Sequence, residues 1–91
     1  MEENVIHEKE NERFVIYVEG NEVYVEYTMA ANKINLDHTF THPLLHGKGL
    51  AAHVVRAALE FAKENNLKVI PTCSYVQSFI AKNAEYKDLI A

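Results

Sequence analysis

Two glycines bracket a lysine at Gly47, Lys48 and Gly49, directly before a stretch with helical apolar spacing. Glycine permits a sharp turn and a close approach of an oxygen-rich group to the backbone. Amides at a helix start point outward unpaired, at the positive end of the dipole, and Lys48 adds a mobile charge. That combination suits phosphate, yet a tight strand-to-helix corner uses the same glycines, so the motif alone leaves both readings open. The single cysteine, Cys73, has two readings as well. It is a thiolate nucleophile favoured by a helix beginning at Ser74, or a small hydrophobe filling space beside a strand end. His38 has the chemistry of a general base near neutral pH, and equally that of a satisfied core histidine. Among His42, His46 and His53 no pair has i,i+4 geometry on a helix with a carboxylate partner, so no metal site is expected.

Two phosphate motifs can be weighed on spacing. The P-loop needs a glycine five positions ahead of its Gly-Lys pair and a Ser or Thr after it; His42 and Gly49 hold those places. The dinucleotide fingerprint fits "GKGLAA" formally, but it calls for an acid roughly 20 residues on. "VIPTCSYV" at 69–76 has none.

The elements that must position these groups follow from periodicity. "RFVIYVE" at 13–19 and "EVYVEYTMA" at 22–30 read as strands joined by a turn at Gly20–Asn21. Val23, Val25, Tyr27 and Met29 share one face of the second strand; Tyr24, Glu26 and Thr28 share the other. A turn at Asn32–Lys33 leads to "INLDHTFT" at 34–41, with Ile34, Leu36, His38 and Phe40 on one face and Asn35, Asp37, Thr39 and Thr41 on the other. The period then changes to 3.6. Leu50, Ala51, Val54, Val55, Ala58, Leu59 and Ala62 form an apolar stripe, which predicts a helix from about Gly49 to Asn65, with Asn65–Asn66 in the capping place. "LKVIP" at 67–71 is a short strand, and a second helix runs from a Ser74 cap through "SYVQSFIAKN"; "EYKDLI" adds a final turn. The order is β-β-β-α-β-α. The crossover helix makes the third and fourth strands parallel, so a mixed α/β sheet with packed helices is expected.

Composition excludes several classes. The 91 residues hold one domain. The first eight residues are expected to be a frayed tail and 9–91 the folded unit. Net charge is −4 with scattered basic residues, which disfavours nucleic acid. No apolar run approaches the roughly 18 residues of a membrane span. The start is acidic and polar rather than a signal or transit peptide. With one cysteine and no export signal, a reducing cytosol is the expected setting, and a monomer the expected state.

Beyond the glycine corner the chain resembles a known family. "LLHGKGLA" is similar to the pyrophosphate loop, roughly Q/R-x-x-G-x-G/A, of the acetyl-CoA-dependent N-acetyltransferases of the GNAT superfamily. The stretch from "HPLLHGKGLA" through "KVIPTCSYV" to "NAEYKDLI" resembles the very small single-domain members of that group, and with the meander the likeness covers roughly residues 10 to 90. Leu44 stands where Gln or Arg is usual, His46 where an acid or Arg is common, "NAEY" replaces "HPEY", and "NN" replaces a glycine.

The resemblance implies a minimal GNAT-like fold binding acetyl-CoA. Strands 34–41 and 67–71 would splay apart to admit the pantetheine arm, held by exposed backbone of Asp37, His38, Thr39, Phe40 and Thr41. Amides of His46, Gly47, Lys48, Gly49, Leu50 and Ala51 would take the pyrophosphate, with Cys73 beside the thioester. Beside the residues' own candidates, Cys73 as nucleophile and His38 as base, the resemblance adds Tyr75 as proton donor to the departing thiolate, with packing at a helix start as its other reading. The acceptor would be an amine, on a small molecule or a protein. The small group lacks the two helices that larger relatives insert after their first strand, and the Gly20–Asn21 turn leaves no room for them. A non-catalytic acyl-CoA-binding module and a small protein-interaction domain are the alternatives.

Overall fold

The computed structural model describes residues 4–91. Five strands form one sheet in the order β1-β2-β3-β4-β5: β1 Ile6–Glu8, β2 Arg13–Val18, β3 Asn21–Ala30, β4 Lys33–Thr41 and β5 Lys68–Ile70. The first four run antiparallel in sequence, and β5 pairs parallel to β4 through Ile34↔Val69 and its neighbours. Helix α1, Leu50–Glu64, crosses from β4 to β5, and helix α2, Ser74–Lys82, follows. A three-ten stretch, Ala84–Leu89, then brings Ile90 back beside Val69.

The predicted α/β order holds, and a short strand is added at its start. Residues 6–8 fall in the expected tail but form β1, with Ile6 paired to Val15. His7 secures the strand: its ring stacks on Phe14 at 4.1 Å, and Nε2 lies 2.6 Å from the Tyr27 hydroxyl. Residues 1–3 lie outside the described residues. The β1–β2 connection is Lys9–Asn11, a single three-ten turn.

Both hairpin turns sit one residue earlier than predicted. Val18 pairs with Asn21, leaving Glu19 (φ 52°) and Gly20 (φ 82°) as the loop, and Ala30 pairs with Lys33 around Ala31 (φ 55°). Two consecutive positive φ values match the right-handed twist of the strands they join. Asn66 takes the left-handed position after α1 (φ 56°), as a glycine often would.

One face of the sheet carries the core. Phe14, Ile16, Val23, Val25, Ile34 and Leu36 pack against Val54, Val55, Ala58 and Leu59 of α1, joined by Val76 and Phe79 of α2. Met29, expected on that face, is exposed at the strand end.

Candidate functional site

The glycine corner begins where β4 ends. His42 donates its amide to the Glu22 carbonyl at 3.0 Å, and its Nδ1 accepts the Leu44 amide at 3.1 Å. This starts a three-ten turn, Pro43–Leu45, pinned by buried Leu45, while Leu44 is 71% exposed. Gly47 (φ 80°) and Gly49 (φ 73°) then adopt left-handed conformations, which cost other residues about 1–2 kcal/mol. Gly49 is the N-cap of α1. It offers no side-chain cap, and the first turn contains no acid. The positive helix end is thus neither capped nor neutralised by its own side chains. A Cβ built on either glycine meets no heavy atom within 4 Å, so the space beside the corner is open.

A bulge in β4 sets the rest of the site. Glu26 pairs with His38 but Tyr27 pairs with Leu36, leaving Asp37 without a partner across the strand pair. The extra residue inverts the alternation. Thr39 and Thr41 lie opposite Val25 and Val23, on the core face. His38 and Phe40 lie opposite Glu26 and Tyr24, on the far face. The uniform alternation read for 34–41 is corrected accordingly: His38 does not share a face with Ile34 and Leu36 and is not a core histidine. Both His38 and Phe40 are exposed.

Beyond the bulge β4 and β5 part. Their pairing stops at Asn35↔Ile70, and the last rungs are the Thr72 hydroxyl donating to Asn35 Oδ1 at 2.6 Å and the Cys73 amide donating to the Leu36 carbonyl at 3.1 Å. Backbone direction alternates along a strand. Because the His42 amide points at β3, those of Thr39 and Thr41 point into the opening.

Cys73 lies at the apex of this wedge. It is the N-cap of α2, a place predicted for Ser74, which is instead the first helical residue. Its Sγ is 3.6 Å from Thr39 Oγ1, and the side chain is half-buried. Burial pushes the thiol pKa up. The Thr39 hydroxyl and the Val76, Tyr75 and Thr39 amides outweigh it, so the net shift is downward. No amide meets full capping geometry with the sulfur; several donors converging on one atom favour the thiolate electrostatically.

The structure thus gathers Thr39, Thr41 and Cys73 around one wedge, with the 46–51 corner at the end of β4. Tyr75 is 38% exposed at the start of α2, and burial raises its phenol pKa. His53 faces solvent on α1. Among the described residues no three His, Cys, Asp or Glu side chains cluster as a metal site would require. The Thr39 side chain as partner of Cys73 was not legible beforehand, because only the bulge turns it inward.

Comparison with known proteins supplies the family. A sequence model described as GCN5-related N-acetyl-transferase matches residues 13–89. Protein NATD1 of Danio rerio is 32% identical over 82 residues, covering 87% of this chain and 74% of that protein. Protein NATD1 of Gallus gallus and of Homo sapiens are each 30% identical over 82 residues, covering 74% and 73% of those proteins. The NMR solution structure of a GCN5-like protein from Staphylococcus aureus superposes with a TM-score of 0.75 at 31% identity, covering 97% of this chain and 87% of that one.

Proposed function

The chain belongs to the GCN5-related N-acetyl-transferase family, and on that premise we propose that it binds acetyl-CoA and passes the acetyl group to an amine by way of Cys73. The observation that carries this reading is the wedge between β4 and β5, with the Cys73 sulfur at its apex.

The residues present suit such a ligand. The uncapped start of α1 and the open space beside Gly47 and Gly49 suit a pyrophosphate. The Thr39 and Thr41 amides along the wedge suit an extended amide-bearing arm, which would lie as an added strand. Acetyl-CoA supplies an activated thioester. The Cys73 thiolate, beside the Thr39 hydroxyl and favoured electrostatically by the start of α2, would form a bond to the acetyl carbon as the CoA thiolate departs. Tyr75, whose raised pKa keeps its phenol protonated, would donate a proton to that leaving group. An amine then takes the acetyl group, the Cys73 thiolate is released, and His38 serves as base on the face from which that amine arrives.

Titrating CoA into isotope-labelled protein tests binding: amides of 39–41 and 46–51 should move, and their immobility at millimolar ligand overturns the reading. Mass spectrometry after incubation with acetyl-CoA tests the chemistry, with an acetyl adduct expected on Cys73 and none on Cys73→Ala.

One observation favours a second reading, acyl-CoA capture without turnover. The β1–β2 connection is a single three-ten turn, so no inserted helix walls an acceptor pocket there. CoA-dependent shifts with no adduct and no amine-stimulated thioester loss would select it.

A further inference from the structure

The sheet face opposite α1 carries a continuous aromatic and acidic surface. The strand register puts Glu8, Arg13, Tyr17, Glu22, Tyr24, Glu26, His38 and Phe40 on it together. Tyr24 is its centre: Phe40 stacks on it at 5.3 Å and 29°, His38 meets it edge-on at 6.4 Å, and Arg13 lies over it at 4.8 Å. Around this strip stand three carboxylates, Glu8, Glu22 and Glu26, against one guanidinium. Arg13 is held by Glu8 at 2.8 Å and Glu22 at 3.2 Å, while Glu26 forms no ion pair among the described residues. Tyr24 feels that carboxylate, which adds to burial in raising its phenol pKa. The lysines of this face, Lys33 and Lys68, pair across β4 and β5 at the far end, roughly 20 Å along the strand from Phe40.

We propose that this face docks a basic polypeptide segment and seats a lysine ammonium beside the unpaired Glu26, against the exposed Phe40 edge of the Tyr24–Phe40 pair and on the side away from Arg13. Charge complementarity argues for the cation, since an ammonium gains from ring faces and from an unpaired carboxylate together. Shape argues for a polypeptide. Small ligands occupy concave sites, and two sizeable cavities among the described residues lie elsewhere. One, of about 680 Å³, is lined by His53, Arg56 and Glu60 of α1; the other, about 450 Å³, lies between Pro71, Ile80 and Ile90. A sheet face instead offers a broad surface for an extended chain. The docking stands without any cofactor. That the seated lysine is also the acetyl acceptor rests on the reading above, because His38 and the wedge adjoin the strip. Acetylation would remove the charge and release the product.

The test uses the full chain and a capped nonapeptide of alternating lysine and alanine. Amides of Tyr24, Glu26, His38 and Phe40 should shift while those of α1 stay still, with or without CoA. Glu26→Gln and Tyr24→Leu should each weaken binding at least about threefold, their spectra confirming the fold, and CoA affinity should be unchanged. The same peptide acetylated on its lysines should bind several-fold more weakly. Unmoved amides on this face, equal binding of the acetylated peptide, or spermidine displacing the peptide at equal concentration would each overturn the proposal. Failure of CoA binding would overturn only the cofactor reading.

Discussion

Gly49 offers the sharpest separation of architecture from ligand chemistry, through the pair Gly49→Gln and Gly49→Glu. Its φ of 73° lies in the left-handed region, so either side chain pays the same conformational cost, about 1 kcal/mol. Neither meets a steric obstacle, since an added Cβ has no neighbour within 4 Å. Both variants should therefore melt on the order of 5 °C below the parent and close to each other. They differ only in one negative charge at the mouth of α1. Two unit charges about 6 Å apart at an effective dielectric of 20 repel by roughly 3 kcal/mol. Solvent at this exposed corner screens that severalfold, leaving about 1 kcal/mol. CoA should therefore bind Gly49→Glu about fivefold more weakly than Gly49→Gln, and the gap should shrink in high salt. Calorimetric titration at low and high ionic strength measures it. Equal affinities at low salt would refute a pyrophosphate at the 46–51 corner, whatever the melting temperatures.

Alkylation of Cys73 by iodoacetamide should rise with pH to a midpoint below that of an ordinary thiol, because the net shift is downward. Thr39→Val should move that midpoint up; an unchanged profile would remove Thr39 from the site. His7 is the stability probe. Its pKa is lowered by burial, and then by Lys9, so the unfolded chain binds more protons just below pH 6.5 and stability falls there as pH falls. Above pH 6.5 the contribution is fully present. Melting temperature should therefore drop more steeply from pH 6.5 to 5 in the parent than in His7→Phe, and parallel curves would contradict this. Tyr86→Phe deletes a hydroxyl that donates to Glu60 at 2.6 Å and accepts from Arg56 at 3.3 Å under a buried ring. It should cost about 1–2 kcal/mol in denaturant unfolding, and a neutral result would make that bridge ornamental.

What was legible in the sequence was whatever repeats. The 3.6 period placed α1 within a residue at each end, and alternation located β2, β3 and β4, because burial of one face imposes both patterns. Turn positions slipped by one, since Glu19 and Ala31 take positive φ without belonging to the residue types that favour it. β1 was illegible for a different reason. Three residues in a polar stretch have no periodicity to read, and their order comes from His7 meeting Phe14 and Tyr27, some 7 and 20 positions away. The glycine corner was readable as a corner; its uncapped, acid-free helix start adds the electrostatic reason to read it as a cradle.

The bulge at Asp37 left no local mark, and the site depends on it. No glycine or proline interrupts Leu36–Phe40, and the sequence alternates smoothly through it. With regular pairing, Phe40 would point at the core and Thr39 away from Cys73. One extra residue exchanges them. It turns two threonines toward the thiol and two rings toward the open face, against what hydrophobicity alone would choose. Phe40 is left 37% exposed as the cost, offset in part by stacking on Tyr24. A strand that accepts this arrangement has separate surfaces on its two sides. One holds a polarised sulfur with free backbone amides, the other an aromatic strip beside carboxylates, and both meet where β4 and β5 diverge. On the proposed reading, that opening is where an acetyl group held on one side passes to a nucleophile arriving from the other. The bulge, more than any single reactive residue, is the feature on which both surfaces depend.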